Sequence, residues 1–260
     1  MSWKPSHGRQ FTIGRAFTII FPAIGRNILA ILVMVVLLEP LLTLLRYWIV
    51  EGLGWPDLEG AAGIVSHILL SGLDALDTAI FGGTLAILVV SQLLGRRTGI
   101  REAARGGLRA SLYGTLALWP FALIWDLPVP WDSGVGIACC AAGIASVTAS
   151  LLIVPSRAWE GQDGGIWRGL RLLNGNFLRI SFLVTMVLAA QTITADMLPI
   201  VASSLQRFLE TRAENSTIFL SYEIVGLFGR IWDVLAAAAY FLIRTDREGV
   251  PVETVAEVFD

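Results

Sequence analysis

Asp74 and Asp77 stand three residues apart in SGLDALDTAIFGG (71–83), inside a long apolar run. Residues three apart share one side of a helix. Carboxylates placed so in apolar surroundings can carry a proton, hold a cation or pair with an arginine. His67 lies seven residues before Asp74, two helical turns away on the same face, with Ser71, Thr78 and Gly82 along it. Glu39 and Arg46 are also seven apart in a second apolar run, and Pro40 leaves a backbone carbonyl free in the preceding turn. Glu223, Gly226, Arg230 and Asp233 make a stripe in a third. A charge at a bilayer centre costs roughly 2.5–3.5 kcal/mol, so these seams should face one another or a wet cavity. Five acids (Glu39, Asp74, Asp77, Glu223, Asp233) meet two arginines and one histidine there. Simple pairing leaves carboxylates over. Two readings stay open: an ion network that fixes helix packing, or the lining of a path for protons, cations or a polar headgroup.

The elements that must position these residues follow from composition. The 260 residues are 55% hydrophobic and 15% charged, with mean hydropathy +0.69. Soluble domains carry about 25% charged residues, so the chain reads as an all-α integral membrane protein, a single domain spanning 1–260. A bilayer span needs roughly 20 mainly apolar residues, and six segments qualify: about 27–50, 64–94, 108–126, 134–158, 176–199 and 216–244. Fifteen of the 19 Lys/Arg lie before the first span, around the link between the second and third, around the link between the fourth and fifth, and where the sixth meets the tail 245–260 (Arg244 and Arg247). The opposite loops carry Glu51, Asp57, Glu59, Asp126 and Asp132. The positive-inside rule then puts both termini in the cytoplasm. A net charge of −2 gives no case for nucleic-acid binding. The first 26 residues lack the apolar core and cleavage site of a signal peptide. The adjacent Cys139 and Cys140 form no disulfide framework.

The basic segments have a pattern of their own. In 165–180, Ile166, Leu170, Leu173 and Phe177 follow one helical face while Arg168, Arg171 and Arg179 take the other, with Asp163 as candidate cap. Ile13, Phe17, Ile20 and Ile24 repeat that seam 153 residues earlier, Arg15 and Arg26 match Arg168 and Arg179, and Thr12 is the candidate cap. Residues 98–114 start similarly, with Ile100 and a stripe of Arg101, Arg105 and Arg109. This predicts about three interfacial helices (the first over 10–25), arginines toward anionic phospholipid headgroups, each followed by a helical hairpin. In the fourth span Ala138, Ala142, Ser146 and Ser150 recur every fourth residue, which predicts a central, tightly packed helix. The cysteines beside them read as small packing residues.

Motifs of catalysis are missing. There is no H-E-x-x-H, G-x-S-x-G or Walker loop, and His7 and His67 are too few and too distant for a metal site. The pair Asp74-x-x-Asp77 matches the opening of the CDP-alcohol phosphotransferase signature, but the Gly, Ala-Arg and later paired aspartates that complete it are lacking. No cofactor is implied.

Two stretches carry a family resemblance. VPSRAWEGQDGGIWRGLRLLNGNFLRI (154–180), through Pro155, Glu160, Gly161, Arg168, Leu172, Gly175, Asn176, Phe177 and Arg179, resembles the central segment of the bacterial glycerophosphoryl diester phosphodiesterase membrane-domain family. YFLIRTDREGVPVETVAEVF (240–259) resembles its ending, through Tyr240, Arg244, Arg247, Glu248 and Gly249. Gly169 stands where a serine usually follows the arginine. The resemblance implies a six-helix membrane domain that in some members is fused to a soluble phosphodiesterase. No such catalytic domain fits in 260 residues, so the activity is not carried over. The expectation is a non-catalytic membrane protein that binds or moves a polar lipid, ion or small solute at the polar centre, or assists a membrane partner. A scaffold acting through the basic helices and an enzyme acting on phospholipid headgroups are the alternatives.

Overall fold

The computed structural model describes residues 13–53, 60–125, 134–190, 192–193 and 214–248. These are almost all helical, with short turns between helices and no strand among them. The helices are α1 (Ile13–Leu53), α2 (Ala61–Leu93), α3 (Ile100–Trp125), α4 (Gly134–Glu160), α5 (Ile166–Leu173), α6 (Phe177–Ala190) and α7 (Glu214–Glu248). Cap residue Thr12, the acids Asp57, Glu59, Asp126 and Asp132, the far end of the fifth span and the tail beyond 248 lie outside the described residues. So do the side chains of Glu39 and Glu223.

The separate interfacial helix expected at 10–25 is instead the first part of α1, one continuous helix of 41 residues. Its buried stripe explains why. Ala16, Ile19, Ala23, Ile31, Val35 and Leu42 keep one phase from end to end, so the same face stays buried through Pro22 and Pro40 and the helix is not broken between the basic segment and the span. At about 60 Å it is twice a bilayer's hydrocarbon thickness. The third basic segment likewise runs without a break into the apolar stretch that follows it, as α3. Only the 165–180 segment breaks. α5 ends at Leu173, Gly175 turns with φ +83°, and α6 leaves at 99°. A glycine suits that left-handed turn. At the 153-residue offset Gly175 corresponds to Pro22, inside unbroken α1, so the two matched segments have different backbones. The start of α5 differs too. Gly165 is its cap residue, Asp163 sits in a preceding 3-10 turn, and the Gly165 N–H donates to Ser156 Oγ at 3.2 Å.

The central helix is α2, not α4. Residues 81–91 of α2 are buried on every side, and α1, α3, α4 and α7 all pack against it. In α4, Ala138 and Ala142 are exposed and only Ser150 at the inner end of the ladder is buried. The closest approach lies between α2 and α3. A Cβ added at Gly83 would stand 2.8 Å from Gly107 Cα, and one at Gly114 2.6 Å from Ala79 Cβ. Paired glycines at 82–83 and 106–107 are the sequence signal for this contact.

Apolar surface points outward. Leu29, Val36, Leu37 and Trp48 of α1 are 67–72% exposed, and Leu112 of α3 and Leu178 of α6 stand out in the same way. Such a surface would drive association in water but suits lipid. Helices α1, α2 and α4 are each long and apolar enough to cross a membrane, and α5 with α6 would make a fourth, broken crossing.

Candidate functional site

The polar seams of α1, α2 and α7 meet. Arg46 on α1 reaches Asp74 Oδ1 on α2 at 2.8 Å and Asp77 Oδ2 at 3.8 Å. Arg230 on α7 reaches the same Asp77 Oδ2 at 2.9 Å and Asp233 Oδ2 at 3.5 Å. The result is a chain of alternating charge, Asp74–Arg46–Asp77–Arg230–Asp233. Its accessibility is graded. The side chains of Asp74 and Arg46 are 46% and 31% exposed, while Asp77, Arg230 and Asp233 are 8%, 7% and 3% exposed.

Local packing holds the inner end. The Arg230 guanidinium lies 3.5 Å from the Phe81 ring centroid, a cation–π contact in a desolvated place. Gly82 leaves room for Asp233, whose Oδ1 would be 3.0 Å from a Cβ there. Thr78 donates to the Asp74 carbonyl at 3.0 Å. Arginine keeps its charge at any relevant pH, so two fixed positive charges sit among three described carboxylates. Among the described residues no group of three or more His, Cys, Asp or Glu is placed to hold a metal ion.

His67 does not join this chain. It is buried, with Nε2 3.3 Å from the Leu123 carbonyl of α3, and Ser71 Oγ donates to the His67 carbonyl at 2.7 Å. Heptad spacing put it on Asp74's face, but α3 covers that end of α2 and takes the ring.

A second cluster closes one end of the bundle. Glu160 at the end of α4 accepts from Arg168 Nε at 2.9 Å and from the Tyr240 hydroxyl at 2.6 Å, with Arg244 Nε at 3.5 Å. Arg168 and Arg244 both also bind Glu248. Arg168, which the amphipathic pattern turns toward headgroups, is held here by these two glutamates. The reverse turn after α4 brings Glu160, eight residues earlier, beside it. Arg15 likewise pairs with Asp246 at 3.3 Å. Partial burial pushes the Asp246 carboxyl above the usual carboxylate range, and Arg15 works against that shift. Arg26, Arg101, Arg105, Arg109, Arg171 and Arg179 are exposed. Sequence reasoning missed Glu160 and Tyr240 as site residues, although both lie in the two stretches that carry the resemblance, which the fold joins here.

Replacing the fully buried Tyr240 by phenylalanine should cost about 1.5 kcal/mol, the usual range for a hydrogen bond to a charged group. Unfolding titration in detergent micelles measures it. A change below about 0.5 kcal/mol would remove the hydroxyl from the account.

Comparison with protein families, with curated proteins and with solved structures brought no match.

Proposed function

We propose that the chain is a six-span, non-catalytic protein of the bacterial cytoplasmic membrane, with both termini inside. It binds or moves a polar lipid, ion or small solute at the Asp74–Asp233 charge chain. One observation carries this reading. The chain of charge ends in a half-exposed pair, Arg46 with Asp74, while its inner members are sealed. An ion network serving packing alone has no need of an open end. That pair offers a donor and an acceptor 2.8 Å apart, which suits a ligand bearing both charges, such as a zwitterionic headgroup.

The non-catalytic reading is supported by what holds Asp74 and Asp77. Each is engaged by an arginine rather than left for a shared metal, which a phosphotransferase would need. The membrane-domain resemblance agrees with a bundle lacking its own chemistry. The scaffold alternative rests on the exposed arginines of α3 and α5.

The test compares wild type and Asp74→Asn by thermal unfolding in nanodiscs rich in phosphatidylethanolamine or in phosphatidylglycerol. The wild type should be stabilised by the ethanolamine lipid over the glycerol lipid. Asp74→Asn should fold, because its site is half-exposed, and lose that preference. Equal melting of wild type in both lipids, or an unchanged preference in the variant, would count against the reading.

A further inference from the structure

Three adjoining cavities of about 200, 290 and 470 Å³ lie at the ends of α2, α4 and α7, and Trp159 lines all of them. The smallest is the informative one. Val90, Leu94 and Phe241 give it an apolar floor, while Arg96 and Arg244 are its charged members, with no acid in the wall. Arg96 is set there by the end of α2. Gly95 takes φ +68°, its N–H bonds to the Gln92 carbonyl at 2.9 Å, and the Arg96 N–H bonds to the Ser91 carbonyl at 2.8 Å. This is a Schellman turn, which fixes the backbone from which the arginine projects. Among the described residues the Arg96 guanidinium has no hydrogen-bond or ion-pair partner. Arg244 is held in place by Glu248 at 2.9 Å and Glu160 at 3.5 Å.

Thr245 supplies an independent sign. It is 4% exposed, it lines the same cavity, and its Oγ1 has no hydrogen-bond partner. Other helical threonines here return the hydroxyl to the carbonyl four residues back. Thr84, Thr115 and Thr148 do so at 2.6–2.7 Å. Thr245 does not, and a buried hydroxyl left unpaired is costly. A ligand oxygen that reached it would satisfy the hydroxyl, and Arg96 on the same cavity has its guanidinium uncommitted among the described residues.

We infer that this cavity binds a phosphate group, held by Arg96, Arg244 and the Thr245 hydroxyl, whose apolar substituent lies against Phe241 and Trp159. The site is separate from the polar centre and does not depend on its reading. The phosphate can belong to a lipid headgroup or be free in the cytoplasm. The chemistry at the oxygens is the same, and the apolar floor is what a lipid would use.

The experiment uses purified full-length protein in detergent micelles at constant ionic strength, followed by thermal unfolding. One arm titrates inorganic phosphate, with chloride as control. The other titrates phosphatidic acid, with phosphatidylcholine as control. Saturable stabilisation is expected in at least one arm. Response to the lipid alone assigns a headgroup site, and equal response to both assigns a free-phosphate site. Arg96→Gln should weaken the response by about tenfold, as loss of a charge-assisted contact does. Thr245→Val, nearly the same shape, should weaken it several-fold and raise the melting temperature of the ligand-free protein, because the orphan hydroxyl is gone. A merely structural threonine would not move those two readouts in opposite directions. No response in either arm, or an Arg96→Gln response equal to wild type, would overturn the assignment. The ethanolamine preference tested through Asp74 would be untouched by that failure.

Discussion

Arg230→Met should lower the stability of the folded protein by about 3 kcal/mol, the lower end of what removing one partner from a buried ion pair costs. The arginine is 7% exposed and stands between Asp77 at 2.9 Å and Asp233 at 3.5 Å. Without it, two carboxylates that are 8% and 3% exposed lose a positive charge each of them touches. The Phe81 ring beneath it loses its cation as well. Methionine keeps most of the volume, so the loss reports charge rather than a cavity. The lower end of the range is chosen because helices unfolded within a membrane find other polar partners. The decisive companion is Arg230→Met with Asp77→Asn and Asp233→Asn. Neutralising the whole inner end should restore most of the stability, since an apolar or neutral replacement of a buried ion cluster is often harmless. Arg46→Met, at the half-exposed end, should cost far less. Unfolding of all three proteins in micelles measures the series. Equal losses for Arg230→Met and Arg46→Met would contradict the graded burial of the chain.

The meeting of α1, α2 and α7 was legible because polar side chains in apolar runs cannot face lipid. Heptad spacing placed Arg46, Asp74, Arg230 and Asp233 on seams that had to find one another. Which arginine takes which carboxylate was not legible, since that depends on the offset between helices far apart in sequence. His67 shows the limit. Spacing along one helix gives a shared face, but two different neighbours can divide that face between them. Arg168 shows another. An amphipathic pattern separates charged from apolar positions, yet it cannot say whether the charged side meets headgroups or a glutamate brought back by a turn. The continuity of α1 needed its buried stripe, in which alanines at 16 and 23 count as much as the large residues the eye picks out. The small-residue ladder of α4 was a real pattern read to the wrong end, because alanines facing lipid look like alanines facing a helix.

The closest helix contact gives the other large effect. Gly107→Ala should cost about 3 kcal/mol, the upper end of ordinary overpacking, or abolish folding. The added Cβ would stand 2.3 Å from Thr84 Oγ1 and 2.4 Å from the Ile80 carbonyl oxygen. A hydroxyl can rotate away, but the carbonyl belongs to the backbone of α2 and cannot. Adding Thr84→Ala to Gly107→Ala should therefore restore only part of the loss, and full restoration would mean that the side chain alone was the obstacle. Gly25→Ala in α1 is the matching control, with nothing within 4 Å of its added Cβ. It should be neutral or gain about 0.5 kcal/mol from helix propensity. The yield of monodisperse protein reports on folding, and unfolding in micelles reports on the variants that survive. The contact also matters for the sites. α2 carries Asp74 and Asp77 near its middle and presents Arg96 just beyond its C-terminal end, so a wedge between α2 and α3 disturbs the one helix both sites share. In any Gly107→Ala protein that still folds, loss of the phosphate response should therefore accompany loss of stability. In Tyr240→Phe, whose change lies off that contact, stability should fall without a matching change in the ethanolamine preference.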